Sequence, residues 1–251
     1  MSKFVWYDLM TGDYKAAEAF YHNVIGWDAR DSGMPGTSYT LFSIGGSDVA
    51  GLMPPPGGGT DAPACWNGYI GVDDVDAYAA RVTAADGSVH RAPEDIPGVG
   101  RFAVVADPHG AVFLLFTPAA GSQGSTLGPG TPGTIGWNEL HAGDGPEAVK
   151  FYTELFGWTK TEALDMGEFG VYQTFAVDGV PTGGIMTKGT KEPGPYWLYY
   201  INVDAIDAAA ERAANNGGSV QMGPQEVPGG QWMVHCLDPQ GTLFAMLAAK
   251  R

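Results

Sequence analysis

Phe20-Tyr21-His22-Asn23-Val24-Ile25-Gly26-Trp27 is answered 131 residues later by Phe151-Tyr152-Thr153-Glu154-Leu155-Phe156-Gly157-Trp158. The same offset carries Asp107-Pro108-His109-Gly110 onto Asp238-Pro239-Gln240-Gly241, and Trp6, Leu9 and Asp13 onto Trp137, Leu140 and Asp144. A repeat this long is a duplicated domain, because solenoid periods run about 20–50 residues. Agreement between the halves marks scaffold; difference marks where chemistry is to be sought.

The 251 residues suit two domains, and a hydrophobic share of 44% is enough for two cores. A net charge of −15 argues against nucleic acid, whose phosphates need clustered Lys and Arg, and against anionic membrane surfaces. No apolar run reaches the ~18–20 residues of a membrane helix. Met1 to Asp8 lacks the apolar stretch of a signal peptide, so a cytoplasmic chain is expected. Cys65 and Cys236 fall at non-equivalent places and read as two structural thiols.

Thr117 to Gly133 is rich in Gly, Pro, Ser and Thr and separates the repeats. The expected division is a first domain at 1–118, a linker at 119–133 and a second domain at 134–251. Pro54-Pro55-Pro56-Gly57-Gly58-Gly59 and the Gly189–Pro195 stretch then halve each domain. Each half opens with a strand and a helix. Phe4–Met10 is strand-like, and Asp13 caps a helix whose Ala17, Phe20, Tyr21 and Val24 follow i, i+3, i+4, i+7 spacing before Gly26 stops it. Tyr39–Ile44 and Val49–Met53 follow as strands. In the next half, Val75, Tyr78, Ala79 and Val82 form a helical stripe, and a hairpin turns at Asp107-Pro108-His109-Gly110, with His90 placed in a loop. The chain therefore reads as four strand–helix–strand–strand–strand modules, an α+β architecture.

Modules with Phe-Tyr and Gly-Trp around the first helix and Asp-Pro-x-Gly in the last hairpin resemble the vicinal oxygen chelate superfamily, which includes glyoxalases, extradiol dioxygenases and bleomycin-resistance proteins. The resemblance covers nearly the whole chain. It implies tandem glyoxalase-like domains, each of two βαβββ modules whose eight strands curl into an open cup-shaped mixed sheet. It also implies, in metal-bearing members, His, Gln or Glu donors on the first and last strands of each module. Counted from Asp13, Asp144, Asp74 and Ala205, the first-strand positions are Trp6, Trp137, Asn67 and Leu198; counted from Gly110 and Gly241, the last-strand positions are Leu114 and Ala245. These offer no usual chelate, so no metal cofactor is expected. The alternative is a divalent metal such as Zn, Fe, Ni or Mn bound off those positions.

Strand alternation puts Asp8 and Met10 on the face of Trp6, and Glu139 and His141 on the face of Trp137. The second modules add Tyr69 beside Asn67 and Tyr200 beside Leu198. The candidate ligand-binding set is therefore Trp6, Asp8, Met10, Asn67, Tyr69, Leu114, Trp137, Leu198, Tyr200 and Ala245, an aromatic lining with few polar groups. Glu139 and His141 form the candidate acid–base pair, because a carboxylate in a desolvated place needs a cation or donor. His235 beside Cys236 is a poor nucleophile pair, since neighbours in a strand point to opposite faces.

Three functions remain open. The first is a metal-independent binder of a small apolar or aromatic molecule. The second is a glyoxalase- or dioxygenase-type enzyme (lyase, isomerase or oxygenase) using Glu139 and His141. The third is a structural or interaction protein with vestigial cups. The expected partner is a small-molecule ligand, and the duplication predicts intramolecular domain pairing in a monomer or weak homodimer.

Overall fold

The computed structural model describes residues 2–34, 36, 38–55, 64–121, 127–167 and 170–251. Most of the Pro/Gly run at 54–59 and part of the 119–133 linker lie outside the described residues. The first repeat runs β1 (Phe4–Met10), α1 (Tyr14–Ile25), β2 (Asp28–Asp31), β3 (Thr40–Ile44), β4 (Ser47–Met53), β5 (Cys65–Gly71), α2 (Val75–Ala84), β6 (Ser88–Ile96), β7 (Gly100–Ala106) and β8 (Val112–Pro118). The second runs β9 (Ile135–Ala142), α3 (Gly145–Phe156), β10 (Thr159–Asp165), β11 (Val171–Val177), β12 (Val180–Thr187), β13 (Tyr196–Asn202), α4 (Ile206–Asn215), β14 (Ser219–Val227), β15 (Gln231–Leu237) and β16 (Leu243–Ala248). Each repeat supplies one eight-stranded mixed sheet, ordered β2-β3-β4-β1-β5-β8-β7-β6 and β10-β11-β12-β9-β13-β16-β15-β14. The α+β tandem architecture follows. No helix is long and apolar enough to cross a membrane among the described residues.

Local chemistry explains the elements. The Asp13 side chain accepts from Ala16 N at 3.1 Å and starts α1, and Gly26 ends it with φ +89°, a conformation that favours glycine. The buried stripe of α1 is Ala17, Phe20, Tyr21 and Val24, as its spacing predicts. Asp144 and Gly157 repeat both caps on α3. One sequence expectation needs correction: His90 lies in β6 rather than in a loop. Like β2, β6 is a sheet edge whose first residues face solvent, so it lacks the apolar alternation that reveals a half-buried strand.

The chain packs as two compact units, and each draws on both repeats. One consists of Met1–Val5, Asn67–Gly124 and Trp137–Trp197. In it the Tyr152 hydroxyl donates to Asp107 Oδ2 at 3.4 Å, the Trp158 indole donates to the Ser2 carbonyl at 2.7 Å, and Arg81 donates to the Leu155 carbonyl at 2.6 Å. The other consists of Trp6–Trp66, Ser125–Gly136 and Leu198–Arg251. There Tyr21 donates to Asp238 Oδ2 at 3.2 Å, Trp27 to the Gly133 carbonyl at 2.8 Å and Arg212 to the Val24 carbonyl at 2.9 Å.

Within each unit, then, the Phe-Tyr and Gly-Trp signatures of one repeat are satisfied by groups of the other. The Asp of each Asp-Pro-x-Gly turn uses Oδ1 for two turn amides, His109 and Ala111 or Gln240 and Thr242, leaving Oδ2 for the tyrosine. Burial pushes both carboxyls up, against the pull of those amides. Trp27 is fully buried and Trp158 nearly so, and truncating either to Ala would cost roughly 3–5 kcal/mol.

Candidate functional site

The second-repeat candidates sit on β9, where alternation places Trp137, Glu139 and His141 on one face. Glu139 pairs in register with Gly184 of β12. A Cβ at Gly184 would run into the Tyr172 ring, so the missing side chain makes room for that phenol beside the carboxylate. Tyr172, from β11, accepts from Trp137 Nε1 at 2.8 Å and donates to Glu139 Oε2 at 2.9 Å. The other carboxylate oxygen, Oε1, lies 2.9 Å from His141 Nε2. His141 stacks on Tyr196 at 4.5 Å with 12° between the planes.

Glu192, in the segment between β12 and β13, reaches the far side of the imidazole, with Oε2 3.3 Å from Nδ1. Those two atoms are in ion-pair range but off the hydrogen-bond direction, and both are buried without a hydrogen-bond partner. Glu139 and His141 are 9% and 8% exposed, whereas Trp137, Tyr172 and Tyr196 are half-buried and carry the cluster to the surface.

The electrostatics follow from this geometry. Burial alone would pull the His141 pKa down, but the hydrogen bond and charge of Glu139, followed by the charge of Glu192, outweigh it and raise the pKa above its usual value. The two carboxylates thus favour the protonated ring between them. Tyr172 is pushed up by burial and then by the Glu139 charge, so it stays a neutral donor. Tyr196 is raised by burial and then by Glu192 and Glu139. An imidazolium–carboxylate pair of this kind can pass a proton to or from a bound molecule.

The first repeat builds a smaller version. Trp6 Nε1 donates to Asp8 Oδ1 at 2.9 Å and lies 2.7 Å from Tyr39 Oη, and the Tyr39 hydroxyl donates to the same Asp8 oxygen at 2.7 Å. Gly51, in register with Asp8, leaves the space for Tyr39. Met10 stands where the second repeat has His141.

The remaining expected residues scatter. Leu114, Leu198 and Ala245 are 1%, 2% and 0% exposed and fill the interior. Asn67 is buried, and the buried Tyr69 ring meets Phe116 edge-on at 6.0 Å. Tyr200 Oη lies 2.8 Å from His235 Nε2, a partner that sequence reasoning did not assign to it. Cys236 is buried, and burial pushes its thiol up to about 12, which leaves no nucleophile there.

Sequence reasoning also missed Tyr39, Tyr172, Tyr196 and Glu192. Tyr172 lies 133 residues after Tyr39, two more than the repeat offset, so alignment by the offset separates them. Glu192 lies in a stretch that reads as a spacer. Concavities of about 200 Å³ beside Val24 and Arg212 and of about 320 Å³ beside Pro97 and Arg101 include no residue of either cluster.

The donor chemistry does not fit the metal that the resemblance implies. At the first-strand positions, Trp6 and Trp137 present indole N–H groups already directed at Tyr and carboxylate oxygens. Leu114, Leu198 and Ala245 have no donor atom, and the single amide of Asn67 falls short of the three or more donors such an ion needs. Off those positions, Glu139 and Glu192 approach opposite nitrogens of one imidazole, so they do not converge with it on a single point. Among the described residues, no group of three or more His, Cys, Asp or Glu is placed to hold an ion.

Comparison with known proteins places this geometry. The family model described as Glyoxalase/Bleomycin resistance protein/Dioxygenase superfamily matches residues 3–115 and again 134–246. The chain is similar to "Putative glyoxylase CFP32" of Mycobacterium tuberculosis, at 35% identity over 96% of this chain and 93% of that one. It is similar to "Anthracycline biosynthesis protein DnrV" of Streptomyces peucetius, at 34% identity over 96% of this chain and 91% of that one. In fold it matches a Mn(II)-bound glyoxalase from Novosphingobium aromaticivorans with a TM-score of 0.64 at 20% identity, covering 100% of this chain and 82% of that one. With the motif matched once in each repeat and two relatives aligned along nearly their whole length, the chain belongs to the Glyoxalase/Bleomycin resistance protein/Dioxygenase superfamily.

Proposed function

We propose that this chain binds a small apolar or aromatic molecule without a catalytic metal, at the Trp137–Tyr172–Glu139–His141 cluster of the second repeat. One observation carries the reading: Trp137 occupies a position where the resemblance implies a metal donor, and its indole is tied through Tyr172 to a buried carboxylate. The result is a half-buried aromatic surface over a buried ion pair, the mixture of apolar wall and few fixed polar groups that suits small-molecule recognition. The naming of a relative for anthracycline biosynthesis agrees with a small-molecule ligand.

The test is a thermal-shift panel of aromatic metabolites and antibiotics, run with and without chelator. A ligand at 100 times its Kd adds about 2.7 kcal/mol to unfolding, which is readily seen. A shift that survives chelation supports the reading; a panel with no shift, or one whose shifts chelator abolishes, sinks it.

A second reading is favoured by the 2.9 Å Glu139–His141 contact, namely an enzyme that moves a proton on the bound molecule. Its test is turnover by Glu139→Gln. Turnover at the wild-type rate would remove the pair from the chemistry.

A further inference from the structure

Two polar atoms of the second-repeat cluster have no hydrogen-bond partner among the described residues, and they are neighbours. His141 Nδ1 and Glu192 Oε2 are both buried from solvent and lie 3.3 Å apart with their hydrogen-bond directions misaligned. Three other polar contacts of the cluster are directed inward: Trp137 to Tyr172, Tyr172 to Glu139, and His141 Nε2 to Glu139. A buried polar group left this way is costly, so the pair favours whatever satisfies it.

The two atoms ask for different things. With an acceptor-only carboxylate at each ring nitrogen, Glu139 at Nε2 and Glu192 at Nδ1, a proton on Nδ1 is favoured and that atom donates, whereas the Glu192 carboxylate only accepts. At 3.3 Å separation, one oxygen can sit about 2.8 Å from each at the apex of a triangle. That oxygen must accept from Nδ1 and donate to Oε2, which is what a hydroxyl does. A carboxylate would satisfy Nδ1 but face the Glu192 charge unshielded. An ammonium would satisfy Glu192 and face the imidazolium. Alongside lies the flat Tyr196 ring on which His141 stacks, a surface suited to a planar group.

We propose that the second-repeat site takes a neutral, hydroxyl-bearing planar molecule, whose hydroxyl bridges His141 Nδ1 and Glu192 Oε2. Glu192 is the selectivity residue, and its segment, residues 188–195, shifts to admit the hydroxyl because both atoms lie below the surface. Lys188 Nζ donates to the Glu192 carbonyl at 2.7 Å and ties the start of that segment to its middle. The first repeat has no counterpart to His141, since Met10 stands there, and so offers no such bridge. The inference rests on the ligand-binding reading above and names its ligand class.

The experiment is calorimetric titration of the full chain at pH 6.5 with 2-naphthol, 2-naphthoate and 2-naphthylmethylammonium, which share one ring system. The expected result is 2-naphthol binding at least about tenfold tighter than either charged analogue, a difference of about 1.4 kcal/mol. In Glu192→Ala and in His141→Met, each checked for native circular dichroism, the preference falls below about threefold. Equal binding of all three to the wild type overturns the hydroxyl inference while leaving the binding reading in place. Hydroxyl preference that survives Glu192→Ala overturns the role of Glu192. No binding of any analogue at millimolar concentration overturns this inference, and the metabolite panel alone then decides the binding reading.

Discussion

The two Trp–Tyr–carboxylate clusters share a plan and differ in the length of the acid and in Met10 against His141, and the second adds contacts from Glu192 and Tyr196. In the first repeat, Asp8 is short, and a single oxygen accepts from both Trp6 and Tyr39, closing a three-membered ring of hydrogen bonds. In the second, the longer Glu139 spreads its two oxygens, one to Tyr172 and one to His141, and Glu192 extends the chain of contacts past the imidazole. The first cluster is an uncharged pair of donors around one carboxylate. The second contains an ion pair and two unsatisfied atoms. This difference is why the ligand site is proposed in the second repeat.

The sharpest way to break this comparison is to remove each carboxylate. Glu139→Ala removes the nearer of the two carboxylates beside the buried imidazole, together with the acceptor of Tyr172, and is expected to cost roughly 3–5 kcal/mol in chemical denaturation. Asp8→Ala strands only neutral donors and is expected to cost less, about 1–3 kcal/mol. Equal costs would mean that His141 is not held as a cation. The glycines facing the carboxylates come next. Gly51→Ala and Gly184→Ala each push a tyrosine off its carboxylate, for about 1–3 kcal/mol by overpacking.

His141→Met, which copies the first repeat, should reveal a pH-dependent term. Because the folded His141 pKa is raised, its stabilisation is fully present below the unfolded value near 6.5 and is lost as pH rises through the folded value. The wild-type advantage over His141→Met, read by urea unfolding, should therefore shrink from pH 6 to pH 9. Each tenfold of proton affinity gained on folding is worth about 1.4 kcal/mol. An advantage that grows with pH would contradict the ion pair. The smallest expected effect lies outside both clusters: Arg81→Ala and Arg212→Ala should each lose about 0.5–1.5 kcal/mol and match one another, since the two guanidiniums close equivalent helix ends.

Much of this was legible before the coordinates. The repeat gave the tandem architecture, and the helix stripe from Ala17 to Val24 is buried as its spacing requires. Alternation along β9 put Glu139 and His141 on one face, and they meet. What stayed hidden has physical reasons. Edge strands such as β2 and the start of β6 are open to solvent and show no periodic signal. Tyr172 joins the cluster only because Gly184 leaves it room, a relation between strands that no local pattern records. Glu192 acts from an irregular segment, where spacing fixes no direction. Leu114 and Ala245 were placed by counting along a strand, and counting does not say whether a ligand can reach them.

The most direct test of the account follows the indole N–H signals of Trp6 and Trp137 by ¹⁵N NMR, assigned by single substitution, as the first ligand from the thermal-shift panel is added in the presence of chelator. The account predicts that the Trp137 signal moves to saturation while the Trp6 signal stays in place. Movement of Trp6 with Trp137 unchanged, or a Trp137 response that appears only when chelator is left out, would contradict it.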